Sequence, residues 1–390
     1  MDDLDRGGAK GQRPGILVFS DDWGRHPSSC QHLITRLLPR FRVLWVNTIG
    51  TRRFKLDSYS IARAVEKLGG WIRGRGDSGS GQAGENPRVI SPVMWPSFGS
   101  KTSRKINRHL LTRTLTGELA DSGHWTAVTT IPLVADLVGR IPVDRWVYYC
   151  VDDLSTWPGL DRESLERTEV DLIDRVDAIA AVSEHLVARM QSHGRSATLL
   201  THGVDLDHWR RRSDAEIDGL PELARPLIVF WGVVDRRLDL EVLSRLGDAL
   251  QHGSIVLVGP ENNPHPSLAE IPGIVRLGPQ KFSKLPALAR ASSVLIMPYA
   301  AMSATEALQP LKLKEYLATG KPVVVSDLPA TRPWKDTCDV MEDSESFVRT
   351  VIDRLETGLL PAQESARARL GSEDWGGKAA EFERILLGGD

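Results

Sequence analysis

A repeated alternation of two kinds of segment constrains this chain more than any other feature. Short, almost wholly apolar runs rich in Val, Ile and aromatic residues alternate with longer amphipathic stretches. ILVFS (16–20), RVLWVN (42–47), RVISPV (88–93), TAVTT (126–130), RWVYYC (145–150) and DAIAAVS (177–183) form a first series. LIVFWG (227–232), SIVLVG (254–259), GIVRLG (273–278), SVLIMP (293–298) and PVVVSD (322–327) form a second. Strands that are apolar throughout, rather than at every other residue, are covered on both faces. Helical stretches lie between them; Ser28 to Leu38, for example, places Leu33, Ile34, Leu37 and Leu38 on one face. The pattern therefore predicts parallel sheets with helical crossovers. Two series predict two α/β domains, and 390 residues suffice for two cores. The expected boundaries are a disordered tail over 1–13, domains over 14–210 and 211–372, and an amphipathic helix within 373–390. The Gly/Ser-rich stretch 74–86 reads as a loop, and its RGD triplet as chance.

Composition excludes several classes. No apolar run approaches the roughly 20 residues that span a bilayer, and the polar start MDDLDRGGAKGQRPG has no signal-peptide core. Cys30, Cys150 and Cys338 are far apart and odd in number, which predicts a cytoplasmic protein without a disulfide frame or zinc spacing. The net charge of −2 hides a basic excess over 36–113, with 16 Lys/Arg against 4 Asp/Glu. That stretch reads either as a solvated surface or as a face meeting anionic lipid or an acidic acceptor. No base-recognition motif accompanies it, so nucleic acid is not an expected partner. Three of the 11 tryptophans, Trp23, Trp95 and Trp157, fall in expected loops of the first domain. Indoles there suit sugar faces or a membrane interface.

In open parallel sheets ligands bind beyond the carboxyl ends of the strands. In the first domain this directs attention to SDDWGRHPSS (20–29), TIP (130–132) and VDDLSTW (151–157). In the second it selects GVVDRR (232–237), GPENN (259–263), GPQKF (278–282) and PYAAMSATEALQ (298–309). Gly232, Gly259 and Gly278 each follow a strand. Lys312 stands near the start of an expected helix that ends at Gly320, with Glu315 one turn further in. A helix N-terminus plus a lysine suits a phosphate, and the carboxylate could accept both hydroxyls of a ribose. An ordinary surface helix would also carry a Lys and a Glu, so spacing alone leaves both readings open. The pairs Asp21-Asp22 and Asp152-Asp153 are read as helix caps rather than metal ligands, and His26 and His202 as loop or capping residues.

The run PLKLKEYLATGKPVVVSDLP (310–329) resembles the donor-site helix and following strand of the retaining GT-B glycosyltransferases. HGVDLDHW (202–209), FWGVVDRRLDLEVL (230–243), RLGPQKFSKLPALARASSVLIMPY (276–299), VYYCVDDLS (147–155) and the SDDWGRHPSSCQHL start extend the likeness over almost the whole chain. It is most like the branch making exopolysaccharide or teichuronic-type cell-surface glycans. The resemblance implies two Rossmann-like domains whose parallel sheets face a central cleft, with the C-terminal helix returning to the first domain. It implies an NDP-sugar-dependent hexosyltransferase, retaining and metal-independent, without a cofactor, acting on a glycan or lipid-linked acceptor.

Carried over by residue, the resemblance makes Glu315 the ribose ligand, and Lys312 with Arg236 or Arg237 the partners of the diphosphate. Phe282 would lie against the base. Gly24 would approach the donor phosphates, and Gly232, Leu311 and Glu306 join the donor set. Trp23, His26 and Trp157 form the acceptor set, and Asp152 would orient a sugar or acceptor hydroxyl. The chain departs from the family pattern at three points. Ala307 replaces the first glutamate of E-x7-E, with Glu306 one position away. Val233 replaces a basic residue after the loop glycine. Asp152-Asp153 stands where many relatives have His-Asp. Two rival readings stay in view: a catalytically silent scaffold, which the lost glutamate would suit, and a nucleotide-sugar epimerase using Asp152 and Glu306. A dehydrogenase is disfavoured, because no G-x-G-x-x-G follows the first strand.

Overall fold

The computed structural model describes residues 13–24, 28–47, 86–95, 97–120, 123–156, 161–211, 217, 220, 222–302, 305, 309 and 311–389. The chain divides into two compact units, Met1–Leu200 with Ala379–Asp390, and Thr201–Lys378. The division after Leu200 lies ten residues ahead of the 210/211 boundary drawn from the sequence. His202 to Trp209 belong to the second unit because Val204 bridges to Asp374 and Trp209 stacks on Trp231.

The first unit is built on a seven-stranded sheet of β1 (Gly15–Ser20), β2 (Arg42–Asn47), β3 (Arg88–Ile90), β4 (Trp125–Thr129), β5 (Arg145–Cys150), β6 (Ala178–Ala181) and β7 (Thr198–Leu199). Every pairing is parallel and the order is β3-β2-β1-β4-β5-β6-β7. Ile16, Leu17, Val18 and Phe19 are fully buried, as an all-apolar central strand requires. Each contributes about 1.5–3 kcal/mol by leaving water, so a charge at Val18 would break the sheet. The run RVISPV pairs only over Arg88–Ile90, because Pro92 has no N–H to offer a ladder. Among the described residues the helices are α1 (Ser29–Leu37), α2 (Lys101–Glu118), α3 (Arg162–Ile173) and α4 (Glu184–Ser192). Ser28 and Ser183 cap α1 and α4 by accepting from backbone N–H groups at the third position on.

The second unit begins with the short α5 (Leu206–Arg210), followed by β8 (Leu227–Trp231), β9 (Val234–Asp235), α6 (Leu240–Ala249), β10 (Ser254–Val258), β11 (Glu261–Asn262) and β12 (Ile274–Gly278). Then come α7 (Leu285–Ala291), β13 (Val294–Met297), α8 (Leu311–Ala318), β14 (Val323–Ser326), β15 (Asp339–Met341), α9 (Ser344–Thr357) and α10 (Pro361–Ala366). Its main sheet is parallel in the order β12-β10-β8-β13-β14-β15. The final helix, α11 (Trp375–Leu387), starts in this unit, and residues from Ala379 onward rejoin the first. There Phe382 packs on Tyr149 and Glu383 pairs with Arg40 at 2.5 Å.

Both sheets reverse strand order beside their first strand, between β1 and β4 and between β8 and β13. Those are the switch points where a doubly wound sheet opens a crevice. Among the described residues no helix is long and apolar enough to cross a membrane. The three cysteines are buried and free, and burial pushes all three thiols up.

Candidate functional site

The second unit's switch point gathers Gly232, Arg237, Lys312 and Glu315. β8 ends in Trp231, and Gly232 follows. A Cβ at Gly232 would stand 2.5 Å from Lys312 Nζ and 3.0 Å from Phe230 Cζ. A Cβ at Gly259, which follows β10, would run into the Gly232 carbonyl oxygen. Two glycines are therefore required for these strand ends to lie against each other and against a lysine.

Lys312 and Arg237 meet on Tyr299. The Lys312 ammonium donates to the Tyr299 hydroxyl at 2.6 Å and lies 5.3 Å from its ring centroid. The Arg237 guanidinium lies 5.9 Å from the same ring. Arg237 is buried and pairs with Asp235 at 2.8 Å, which also accepts from its backbone N–H. Its charge is thus already partly offset, whereas Arg236 beside it is exposed. Leu311 opens α8, so Lys312 lies in a first turn whose N–H groups have no partner within the helix.

Lys312, Glu315 and Tyr316 occupy one side of α8 by their i, i+3, i+4 spacing. Tyr316 clamps the end of β8. Its hydroxyl accepts from the Trp231 N–H at 2.9 Å and donates to the Trp231 carbonyl at 3.1 Å. The Trp231 indole N–H donates to Glu315 Oε2 at 3.4 Å. Burial raises the Glu315 carboxyl to about 7, against the lowering influence of Trp231 and Lys312. In its ionised form this carboxylate can accept from neutral hydroxyls.

Phe282 opens a single turn, Phe282–Lys284. His208 stacks on it with centroids 4.1 Å apart and planes 5° from parallel, so one face of the ring is taken. Trp209 meets its edge at 5.6 Å and stacks on Trp231 at 5.3 Å. Burial, the leading cause, lowers the His208 imidazole.

The first unit's switch point holds Trp23 and Gly24. Ser20 and Thr130 join the ends of β1 and β4 by a 2.8 Å hydroxyl bond. Asp21 accepts from Ser20, Ser28 and Gln31 side chains, and Gly24 N–H donates to Gln31 Oε1 at 3.1 Å. Trp23 stands edge-on to Trp45 at 4.8 Å. Asp152 follows β5 and is half-buried. Asp153 accepts from the Ser155 N–H and hydroxyl and lies 3.5 Å from Arg189. Asp21 and Asp153 thus organise loop and helix starts. Among the described residues no group of three His, Cys, Asp or Glu is placed to hold a metal ion. His26, Trp157 and Glu306 lie outside the described residues.

Sequence reasoning selected Gly232, Lys312 and Glu315 but missed Tyr299, Trp231 and Tyr316. Tyr299 was marked only by its place two residues past a strand, Tyr316 by its spacing of four from Lys312.

Residues 225–357 match the family model described as glycosyl transferases group 1. TuaH of Bacillus subtilis (strain 168), described as a teichuronic acid biosynthesis glycosyltransferase, is 26% identical over 225 residues. That match spans 53% of this chain and 56% of TuaH, little more than half of either. Sucrose-phosphate synthase of Thermosynechococcus elongatus superposes with a TM-score of 0.69 at 15% identity, covering 97% of this chain and 99% of that one. Anabaena HepE, solved with UDP and glucose, gives 0.67 at 14% identity, covering 96% and 99%. Trehalose 6-phosphate synthase of Burkholderia multivorans gives 0.62 at 13%, covering 97% of each. These likenesses show the fold, which is GT-B.

Proposed function

We propose, from the premise that residues 225–357 form a glycosyl transferases group 1 domain, that this chain is a glycosyltransferase of cell-surface polysaccharide synthesis. It moves a hexosyl group from a nucleoside-diphosphate sugar to a glycan or lipid-linked acceptor. The observation that carries this reading is the convergence of Gly232, Lys312 and Glu315 at one switch point. HepE, of the same fold, has been solved with UDP and glucose, which supports a nucleotide-sugar donor here.

The diphosphate leaves as an anion from a cation-like sugar, so fixed positive charge must meet it. Lys312, the first-turn N–H groups of α8 and, less strongly, Arg237 supply that charge without a metal. Glu315 holds the ribose hydroxyls. Transfer with retention then needs no strong protein base. The acceptor oxygen bonds to the anomeric carbon as the carbon–phosphate-oxygen bond breaks, and the departing phosphate oxygen takes the acceptor's proton. Asp152, with Trp23, belongs to the acceptor side of this account.

The acceptor side also includes an anionic membrane surface. Residues 88–95 run beside α2. Arg88 pairs with Glu118 at 2.5 Å, and Asn107, itself buried, bonds both backbone groups of Trp95. The segment alternates, with Pro92 and Met94 buried and Val93 and Trp95 outward at 55% and 50% exposure. Ile106 on α2 is 39% exposed, flanked by exposed Lys101, Lys105 and Arg113. Exposed indole and aliphatic groups among cations suit an anionic bilayer interface.

Incubating the protein with UDP- and GDP-hexoses and a lipid-extracted glycan acceptor, and reading the product's anomeric configuration by NMR, tests the reaction. A product of retained configuration formed in EDTA is expected. An inverted product would overturn the retaining mechanism, and no transfer or donor hydrolysis would overturn the enzymatic reading.

A further inference from the structure

α8 carries Lys312 and Glu315 on one side, and its opposite side is fastened by a different lysine. Lys314 lies two residues past Lys312, about 200° around the helix. Its side chain is 4% exposed. The ammonium donates to Glu373 Oε2 at 2.5 Å, to Thr201 Oγ1 at 3.2 Å and to the His202 carbonyl. It also lies 5.6 Å from the Trp334 ring centroid. Thr201 is the first residue of the second unit, and Glu373 lies just before the chain leaves it after Lys378. One ammonium therefore ties the helix to both passages of the chain into and out of this unit.

The two passages are themselves joined. Val204 bridges Asp374, and its N–H donates to the Glu373 carbonyl at 2.9 Å. Gly203 packs so close to Trp375 that a Cβ would stand 2.7 Å from the indole. Lys378 also reaches Glu373, at 3.2 Å. Burial draws the Lys314 ammonium down to about 8, against the raising influence of Glu373. An apolar side chain would fill this space without that penalty. What it could not supply is a fixed direction toward three oxygens on two separate passages.

We propose that Lys314 is a positioning residue for the donor: it sets the rotation of α8 against the two passages and so aims Lys312 and Glu315 at the nucleoside diphosphate. This rests on the reading of α8 as the donor helix, and the test separates the two. Lys314→Met keeps the length of the stem and leaves Glu373 its contact with Lys378. Hydrogen exchange of the free full-length chain reads the tether. Lys314→Met should raise exchange in peptides covering 311–318 about tenfold, with 201–206 and 373–378 rising together and β8 and β10 unchanged. The double variant Lys314→Met/Glu373→Gln should be no worse than Lys314→Met alone. Among UDP, GDP, TDP and ADP, the nucleotide that binds the wild type should lose about tenfold in affinity in Lys314→Met. Unchanged exchange at 311–318 overturns the proposal, as does raised exchange with unchanged nucleotide affinity. If no nucleotide binds the wild type, the donor reading fails, and exchange alone still decides whether Lys314 holds the helix.

Discussion

The Lys312 ammonium donates to the Tyr299 hydroxyl at 2.6 Å, which holds it beside Gly232, the glycine that follows the first strand of the second unit. The bond fixes a flexible side chain where a departing phosphate would need it, before any ligand arrives. Such preorganised charge typically lowers a barrier by about 3–4 kcal/mol. Lys312→Ala should therefore depress turnover by 100-fold or more. Asp21→Ala, which loosens only loop and cap hydrogen bonds, should cost far less. Equal losses in steady-state kinetics would contradict the assignment.

Tyr299→Phe isolates the positioning. The ring remains for Lys312 and Arg237 to lie against, but the hydroxyl is lost. Turnover should fall less than in Lys312→Ala, by roughly tenfold, in line with about 1.4 kcal/mol for one lost hydrogen bond to a charge. Identical kinetics to wild type would mean that the bond does not set the lysine's position.

The two glycines should fail differently. Gly259→Ala presses a Cβ on the Gly232 backbone, and backbone cannot swing aside. It should destabilise the fold by about 2–3 kcal/mol in denaturant titration. In Gly232→Ala the obstacle includes the mobile end of Lys312. That variant should stay folded more readily yet bind nucleotide poorly.

Glu315 gives a pH signature. Its carboxyl is raised from 4.5 to about 7 by burial, so the native state holds a proton that the unfolded chain has released. Stability associated with this group is complete below pH 4.5 and is lost as pH rises to about 7. The loss is on the order of 3 kcal/mol. Ribose binding favours the ionised form, so kcat/KM for the donor should climb up to about pH 7 and then level. Glu315→Gln should lack both pH dependences. A wild-type profile that is flat between pH 5 and 8 would remove Glu315 from the donor site.

Much of the fold could be read directly, because its strands are all-apolar runs. The runs 42–47 and 145–150 coincide with β2 and β5 to the residue. β15 escaped notice because Asp339–Met341 carries a charge and only partly buried side chains, as an edge strand does. Its Asp339 instead pairs with the buried Arg354 of α9 at 2.8 Å. Gly232, Lys312 and Glu315 were legible because strand ends and helix starts are local features. Tyr299 and Trp231 were not, since an aromatic residue beside an apolar run looks like core. The stacking of His208 on Phe282 joins residues 74 positions apart, beyond any local pattern. The burial of Lys314 leaves no local mark for a similar reason: the groups that bury it come from 201–202 and 373.

The membrane face has its own test. Lys101→Glu with Lys105→Glu should lose about 1 kcal/mol per lysine, and roughly tenfold or more in binding to phosphatidylglycerol vesicles at low salt. Trp95→Ala should weaken binding without changing transfer to a soluble acceptor. If the wild type fails to co-sediment with such vesicles, the surface is not a lipid-docking face.

On the proposed mechanism the second unit binds a nucleoside diphosphate through Glu315 and Lys312 without a metal. Thermal stabilisation by UDP, GDP, TDP and ADP, with and without EDTA, tests it most directly. At 100 times its dissociation constant the true nucleotide adds about 2.7 kcal/mol of stability. A clear shift with one diphosphate, unchanged by EDTA and absent in Glu315→Ala, is expected. A shift abolished by EDTA, or none with any nucleotide, would contradict it.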